Sequence, residues 1–209
     1  MTRGMRPATL VLALVAALLA AQARCDGPAP DGSMEVRVRA IYLYPKSATA
    51  LNESLDGGFY GDLSAEWFFT PRWSAELALA FPTDFTHHYF DPMGAPLSDD
   101  IKLMPNTLTV KYSLQSTDSL YPYLGAGMHY TTLSRDSPNP ALGVQSPSVG
   151  WTAQTGLEWR LIPGWYFNAD VRYLGNLETR TTAPLAPQTH LRIDPFLFGI
   201  GFGFRPGGS

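Results

Sequence analysis

The adjacent histidines His87 and His88 are the first residues of this sequence whose types could do chemistry. Asp84 and Asp91 lie close to them along the chain. Imidazole and carboxylate are ligands that suit zinc and copper, so these four residues could form a weak metal site. No H-E-x-x-H motif or comparable ligand spacing accompanies them. We therefore predict no metal site and no cofactor.

His129 is a second candidate, because barrel enzymes that process lipids use a serine or a histidine near the outer rim. Ser134 or Asp136 could complete such a site. The chain carries no G-x-S-x-G motif. The alternating glycines of Gly199–Gly203 do not wrap a phosphate-binding turn, and they indicate room inside the fold or close approach of strands. We predict that the protein is not an enzyme and has no catalytic residue.

Charged residues recur on one face of consecutive segments, opposite the aromatic side chains. Their signs nearly balance, and buried charges persist only when they are paired. We therefore predict that they pair across a narrow interior and plug it, which would block a continuous aqueous pore. A gate or a selectivity element is the alternative. The residues of the predicted plug are Arg37, Glu66, Glu76, Lys111, Glu158, Arg160, Asp170 and Arg172, and Arg39 and Asp62 share their face.

The elements that position these charges are alternating strands, and the stretch Phe59–Phe81 shows the pattern best. Two strands flank a tight turn at Thr70-Pro71-Arg72, and their side chains alternate between an apolar face and a face of carboxylates and hydroxyls. Each arm has about nine to eleven residues, the length that a tilted strand needs to cross a bilayer. Trp67 and Trp73 flank the turn, where aromatic rings would lie at a membrane interface.

The same alternation predicts eight strands whose connections alternate between long and short. This is the topology of an outer-membrane barrel, whereas a soluble barrel would bury its apolar face. We predict an all-β fold: an eight-stranded antiparallel transmembrane β-barrel over residues 34–204, with short periplasmic turns and long extracellular loops. The predicted strands are Met34–Tyr44, the two arms of Phe59–Phe81, Leu103–Leu114, Pro122–Leu133, Gly150–Leu161, Trp165–Leu174 and His190–Phe204, with Pro82–Lys102 as a long irregular loop.

The first 23 residues have the pattern of a secretory signal peptide. Arg3 and Arg6 precede an uncharged run over residues 8–21, and Ala21-Gln22-Ala23 forms an A-x-A cleavage site. We predict export, removal of residues 1–23, and a periplasmic segment at residues 24–33.

The single cysteine, Cys25, excludes an intrachain disulfide and a zinc cluster built from thiolates. A lipid anchor on Cys25 is the alternative, although Arg24 occupies a position that such a site reserves for a small residue. Removing the signal takes away Arg3 and Arg6 and lowers the formal charge from −3 to −5. This mildly acidic balance offers no basic surface, so we predict no nucleic-acid partner.

Three segments resemble the OmpW family of outer-membrane proteins. PYLGAGMHYTTL at Pro122–Leu133 is similar to the family's PYxGAGxNYTTF strand, and LMPNTLTVKY at Leu103–Tyr112 is similar to its LPPTLLxQY segment. RIDPFLFGIGFGFR at Arg192–Arg205 resembles its RLDPWxFxxxxGYRF ending, and the match extends over about 36–205. The resemblance implies an eight-stranded barrel whose narrow lumen binds or passes small hydrophobic molecules and releases them sideways through a gap in its wall.

This sequence departs from the family's pattern at its end. The family ends on an aromatic residue that the outer-membrane assembly machinery reads, so the resemblance implies that machinery as a partner. Here Phe204 is followed by a tail at 205–209, and Pro206 stands where the terminal Phe belongs. The tail therefore bears on how efficiently the barrel is assembled.

Pro105 and its neighbour Met104 lie in the predicted fourth strand. Proline cannot donate a ladder hydrogen bond, so Pro105 predicts a local break in strand pairing that would open a side exit for an apolar ligand. The alternative is an ordinary strand start above the membrane, where proline is also common.

Apolar residues in the segment after the first hairpin could line an apolar mouth, since ligand sites are concave and mostly apolar. The alternative is that they pack the loop against the barrel rim. The residues of this predicted mouth are Phe81, Phe85, Tyr89, Phe90 and Met93.

Two functions of different classes follow for a barrel in the outer membrane of a Gram-negative bacterium. The first is binding or passage of small hydrophobic molecules, with lateral release into the lipid bilayer. The second is a structural or adhesive barrel with a filled lumen, whose extracellular loops contact a host, a phage or another partner. A wide apolar cavity favours the first, and a lumen packed throughout favours the second.

Overall fold

The computed structural model describes residues 31–46, 54–55, 57–90, 96–114, 119–135, 144–145, 147–181, 190–192 and 194–206. No helix within these ranges is long and apolar enough to cross a membrane. The predicted signal peptide, residues 1–23, lies outside them. The main elements are eight strands: β1 Met34–Tyr44, β2 Gly58–Phe68, β3 Trp73–Ala80, β4 Pro96–Ser113, β5 Leu120–Arg135, β6 Ser148–Ile162, β7 Trp165–Gly175 and β8 Phe196–Phe204.

The eight strands close into an antiparallel barrel. Each strand pairs with its neighbours along the chain, and β8 returns to β1 in a register from Val36↔Phe204 to Tyr44↔Phe196. Closure pairs the last strand with the first, which removes the two free edges of the sheet, as a barrel inside a membrane requires. The predicted fold class is confirmed.

Alternation sets the two faces of the wall. In β2, Phe59 is 72% exposed while Tyr60, Asp62 and Glu66 are buried, so the rings point outward and the polar groups inward. Aromatic pairs lie on the outside at both ends of the strands. Near the short turns these are Trp73–Tyr112 and Trp165–Phe204, and near the long loops they are Tyr42–Phe59 and Trp151–Tyr173. Such double girdles are typical of transmembrane barrels.

The short turns have local causes. In the β2–β3 turn, Thr70 Oγ1 accepts hydrogen bonds from the backbone N–H groups of Arg72 and Trp73, at 3.3 and 2.9 Å. In the β6–β7 turn, Gly164 has a φ of +80°, a left-handed conformation that favours glycine. Both turns were predicted.

The prediction of an irregular loop over Pro82–Lys102 is wrong. Thr83–Phe90 forms a strand that pairs with the outer half of β4, from Thr83↔Leu103 to Phe90↔Pro96. Pro82 and Pro96 lie at strand ends, where a missing N–H costs no ladder bond, so they do not prevent pairing. β4 therefore has 18 residues, more than a bilayer requires, and its outer half forms a hairpin beyond the barrel wall.

The predicted eighth strand, His190–Phe204, is also divided. Only Phe196–Phe204 belongs to the barrel, whereas His190–Arg192 pairs with Glu178–Thr181 in a small separate sheet that includes Val144–Gln145. Pro195 lies at the division, and it has no N–H with which to continue the ladder.

Candidate functional site

The lower lumen, nearest the short turns, is filled by ionised side chains on inward positions. Five cations and six carboxylates lie there, each at most 5% exposed. We call them the charge plug: Glu35, Arg37, Arg39, Asp62, Glu66, Glu76, Lys111, Glu158, Asp170, Arg172 and Arg205.

Arg37 is the centre of the plug. Its Nη2 donates to Glu35 Oε1 at 2.6 Å, Glu66 Oε2 at 3.1 Å and Glu158 Oε1 at 2.5 Å, and its Nη1 donates to Glu76 Oε2 at 2.8 Å. These partners come from β1, β2, β3 and β6, so one guanidinium ties together strands on opposite sides of the barrel.

Lys111 shares these carboxylates from β4. Its Nζ lies 2.6 Å from Glu66 Oε2, 3.1 Å from Glu76 Oε2 and 3.4 Å from Glu158 Oε1. The same ammonium lies 3.9 Å from the ring centroid of Tyr123, a cation–π contact. Every cationic donor in this layer therefore has several acceptors, as burial requires.

A second layer of the plug lies directly above. Arg39 binds Asp62 in a bidentate pair, with Nε–Oδ1 at 2.8 Å and Nη2–Oδ2 at 3.0 Å, and its Nη1 lies 3.0 Å from Asp170 Oδ2. Arg172 Nη2 bridges the same carboxylates at 3.2 and 3.1 Å. Glu76 joins the layers, since its Oε1 lies 2.9 Å from Arg39 Nη2.

Glycines of β8 make room for the plug. The inward positions of this strand are Gly199, Gly201 and Gly203, and a Cβ atom at Gly203 would overlap the carboxylate of Glu35. A Cβ at Gly199 would overlap the carboxylate of Asp170, and a Cβ at Gly201 would overlap first the backbone carbonyl of Val38 and then the side chain of Arg39. Both predicted roles of these glycines occur, since Gly199 and Gly203 leave room for plug side chains and Gly201 allows close approach of β1.

Arg205 closes the floor of the lumen. Its guanidinium lies 4.2 Å from the ring centroids of both Phe68 and Tyr166, and its Nη2 donates to Glu35 Oε2 at 2.7 Å and Glu158 Oε2 at 3.3 Å. The sequence reading assigned Arg205 to a tail and omitted Glu35. Both continue the inward alternation of their strands by one position, and that signal would have found them.

Arg160 is the predicted plug residue nearest the β6–β7 turn. It lies half-buried at the turn end of β6, opposite Tyr166, one inward position nearer the turn than Glu158. A register shift between Trp165 and Tyr166 follows immediately. Its membership of the plug stays a prediction.

Above the plug, one side of the lumen is lined by apolar side chains. Ile41 and Leu43 follow Arg39 on the inward face of β1, and both are fully buried. Phe85 reaches this layer from the outer hairpin, with its ring centroid 6.5 Å from that of Tyr60. We call the cluster the apolar layer: Ile41, Leu43, Tyr60, Ala80, Phe85, Leu103, Leu174, Leu177 and Leu197.

The wall beside the apolar layer contains a gap in strand pairing. The β3–β4 ladder runs from Trp73↔Tyr112 to Ala78↔Thr107, and the next ladder pair on this side of β4 is Thr83↔Leu103. Residues 79–82 and 104–106 therefore face each other without a ladder pair.

Pro105 lies in the middle of this gap and faces the lumen. Nearby, the backbone N–H of Ala80 donates to the side chain of Asn106, Oδ1, at 3.1 Å instead of to a backbone carbonyl. On its other side Pro105 pairs with Thr131 in an uninterrupted ladder. Because β4 begins at Pro96, Pro105 is not a strand start. Met104 adjoins it, half-buried.

The residues of the predicted mouth occupy different places. Phe85 is buried in the apolar layer, whereas Phe81 is 46% exposed. The Phe81 ring would lie 2.9 Å from a Cβ at Gly61, an outward position of β2. Tyr89 and Phe90 lie on the strand Thr83–Phe90, and Met93 lies outside the described residues. Phe81 and Phe85 thus lie on opposite faces of the wall.

The histidines considered for chemistry are also separated. His129 is buried in the lumen, where its ring nitrogens lie 3.0 Å from Thr131 Oγ1 and 3.0 Å from the carbonyl oxygen of Gly175. The backbones of His87 and His88 pair with Leu55 and Ser54 in the outer hairpin. Within the described ranges, no group of three or more His, Cys, Asp or Glu side chains is suited to a metal ion.

Comparison with known proteins identifies similar chains. The OmpW family pattern matches residues 22–206. Outer membrane protein W of Vibrio cholerae serotype O1 is 31% identical over 178 residues, which are 78% of this chain and 79% of that protein. The dibenzothiophene metabolism operon protein PahQ of Pseudomonas aeruginosa is 30% identical over 111 residues, 49% of this chain and 50% of that protein.

Solved structures show the same architecture. The crystal structure of the outer membrane protein OprG from Pseudomonas aeruginosa superposes with a TM-score of 0.66, over 84% of this chain and 96% of that chain. The two sequences are 24% identical, so this likeness concerns the fold. The chain thus forms a closed barrel with ionised side chains in its lower lumen and the apolar layer above them. The wall has a gap between β3 and β4 beside that layer.

Proposed function

The chain belongs to the OmpW family of Gram-negative outer-membrane barrels, and from that premise we propose that it binds small hydrophobic molecules in its upper lumen and releases them sideways into the bilayer. Family membership confirms the predicted resemblance and the predicted location in the outer membrane. The proposal includes no chemical step, and the partners it requires are the lipid bilayer and an apolar ligand.

The gap at Pro105 carries this proposal. It opens the wall between β3 and β4 where Ala80 and Leu103, two members of the apolar layer, flank it. Among the described residues, a side-chain hydrogen bond from the Ala80 N–H to Asn106 lies here in place of a backbone ladder, so a molecule held against the apolar layer would meet less resistance here than elsewhere in the wall.

The charge plug supports a sideways route. An apolar molecule that continued toward the short turns would have to separate ion pairs such as Arg39–Asp62, which are buried and bonded on both sides. Separating buried ion pairs is strongly unfavourable. The bilayer is as apolar as the ligand, so exit into it carries no comparable barrier.

One relative supports an apolar ligand. PahQ is named for an operon of dibenzothiophene metabolism, and dibenzothiophene is an apolar aromatic compound. Its similarity extends over about half of this chain, so the identity of the ligand here is part of the proposal.

The test is uptake of radiolabelled dibenzothiophene or dodecane by cells that carry the wild-type protein, Pro105→Val, or no copy. Valine can donate the missing ladder bond, so we expect uptake to depend on the protein and to fall in Pro105→Val. Pro122→Val is the matched control, because Pro122 lies in β5 at the turn end, away from the gap. Equal uptake in cells with and without the protein would exclude this function.

A barrel whose loops contact a partner is the second candidate. Phe85 from the outer hairpin is 3% exposed and occupies the apolar layer, as a permanently filled lumen requires. The outer hairpin of Thr83–Phe90 with β4 would then be the contact surface. Uptake that is independent of the protein, together with binding of cells or phage that is lost when residues 83–102 are replaced by a short linker, would favour this candidate.

A further inference from the structure

The β4–β6 side of the upper lumen carries hydroxyl groups in place of apolar side chains. Thr107 and Thr109 on β4 and Thr152 on β6 point inward and are 2%, 0% and 1% exposed. Thr109 and Thr152 both pair with Gly127 of β5, from its two sides, and Thr107 pairs with His129. We call Thr107, Thr109 and Thr152 the hydroxyl band.

The hydroxyl band lies between the charge plug and the apolar layer. On β4 the next inward residue toward the short turn is Lys111, a plug residue, and on β6 it is Gln154, which pairs with Arg172. In the same row as Thr152, β7 contributes Leu174 of the apolar layer. A ligand lying on the apolar layer and reaching the plug would therefore have the band at one of its ends.

The three hydroxyls have no hydrogen-bond partner among the described residues. By contrast, Thr131 Oγ1 is bonded to His129, and Thr155 Oγ1 donates to the carbonyl of Tyr123. Eight other buried side-chain atoms of the described residues also lack a hydrogen-bond partner, among them Ser64 Oγ and Tyr60 Oη, but the band is where three threonines lie together around Gly127. Buried polar groups without a partner are rare and unfavourable, and they call for an explanation. Three in adjacent rows around a single glycine indicate a place that takes a polar group.

Gly127 lets β4 approach β5 closely at this place. A Cβ there would overlap the backbone carbonyl of Leu108, so no larger residue fits without displacing β4. Because Gly127 has no side chain, the hydroxyls of Thr109 and Thr152 are separated in their row only by backbone.

We propose that the ligand is an amphiphile with an apolar body and one neutral oxygen-bearing end, such as a long-chain alcohol, aldehyde or ketone. This inference rests on the proposed function and names its substrate class. The apolar body lies on the apolar layer, and the oxygen binds the hydroxyl band.

The neutral charge of the polar end follows from the surroundings. A threonine hydroxyl both donates and accepts, so it suits either an alcohol or a carbonyl. The plug beneath holds six carboxylates against five cations, and all its cations are already bonded to carboxylates. A carboxylate end would add another negative charge above this set, so fatty acids are disfavoured.

The experiment compares initial uptake rates of radiolabelled 1-dodecanol, dodecane and dodecanoate in cells that carry the wild-type protein, Thr109→Val/Thr152→Val, or no copy. The double variant is nearly isosteric and removes two hydroxyls. We expect it to slow protein-dependent uptake of the alcohol about tenfold and to leave that of the alkane unchanged, since two ordinary hydrogen bonds correspond to about that factor.

Two controls keep the outcome readable. Thr132→Val makes the same change on the outward face of β5 and should alter neither rate. Thr109→Ser/Thr152→Ser retains the hydroxyls and should restore uptake of the alcohol, and a heat-dependent shift in gel mobility confirms that each variant is folded.

The outcomes separate the two proposals. If alcohol and alkane uptake both depend on the protein but the valine variant changes neither, or changes both equally, the hydroxyl band does not bind the ligand and the uptake function stands. If dodecanoate is taken up faster than the alcohol, the neutral end is wrong. If no compound depends on the protein, the uptake function and this inference both fail.

Discussion

The lower and upper halves of the lumen solve the burial of polar groups in opposite ways. In the charge plug, every ionised side chain has ion-pair partners from other strands, such as the four carboxylates around Arg37. In the upper half, the hydroxyls of Thr107, Thr109 and Thr152 are equally buried and lack partners among the described residues. The comparison shows that the charges of the lower half are paired among themselves, whereas the three hydroxyls of the band have no partner among the described residues.

The largest expected effect comes from breaking the plug at its centre. Arg37→Met would leave four carboxylates buried without their common partner, and removal of one member of a buried ionic network costs about 3–5 kcal/mol of unfolding free energy. Urea or guanidinium unfolding of the barrel in lipid would measure it. Arg72→Met, at the exposed β2–β3 turn, is the control and should change stability by less than about 1 kcal/mol. Equal shifts in the two variants would show that the plug does not stabilise the fold.

The next effect tests the apolar layer. Phe85→Ala should lower the unfolding free energy by about 3 kcal/mol. This is the lower end of the range for truncation of a buried phenylalanine, because Phe85 belongs to the outer hairpin and not to the barrel wall. If Phe85 occupies space that a ligand uses, the variant should also take up dodecane faster than wild type. Phe202→Ala changes an exposed ring on the outer face of β8, away from the gap, and should leave uptake unaltered. Slower uptake in Phe85→Ala would instead make Phe85 part of the binding surface.

A smaller effect tests the packing of the plug against β8. Gly203→Ala places a methyl group where the Glu35 carboxylate lies, and overpacking of this kind costs about 1–3 kcal/mol. Ala126→Val adds atoms on the outward face of β5 and should change the unfolding free energy by less than about 0.5 kcal/mol. An unchanged unfolding free energy in Gly203→Ala would contradict the close contact between Gly203 and Glu35.

The smallest expected change in stability is at the hydroxyl band, and it gives the clearest contrast with the charge plug. Thr109→Val removes a buried hydroxyl that has no partner, so we expect stability to stay constant or to rise by up to about 1 kcal/mol. Loss of a charged group from the plug lowers the unfolding free energy, whereas loss of a hydroxyl from the hydroxyl band does not. A loss of more than about 1 kcal/mol would mean that Thr109 is bonded within the protein.

Alternation along the chain was sufficient to predict which side chains of the barrel wall face inward and which face outward. Glu66, Glu76 and Lys111 face the lumen, and Trp67 and Trp73 face outward, as their parity predicts, because the ladders of β2, β3 and β4 keep their register over these residues. The same rule would have reached Glu35 and Arg205. Both residues lie at strand ends, one inward position beyond the residues for which the alternation was considered.

Other features depend on contacts between distant segments. The strand Thr83–Phe90 pairs with β4, and five of its eight residues are Thr, Phe or Tyr, types that favour strands. The nearby Pro82 and Pro96 led to the prediction of a loop, although both lie where pairing tolerates a proline. The break at Pro105 was predicted from proline chemistry. The position of the break, in mid-strand beside Ala80 and Leu103, depends on where the ladder between β3 and β4 ends. No local sequence pattern specifies that point.

The sequence by itself determined which residues face the lumen and which face the lipid, because side-chain direction in a strand repeats every two residues whatever its partners are. Only the tertiary structure decided which charges meet, which hydroxyls remain without a partner and where the wall is open. These depend on register between strands, as in the row that joins Thr109, Gly127, Thr152 and Leu174. Register is fixed by closure of the whole barrel and not by any one strand.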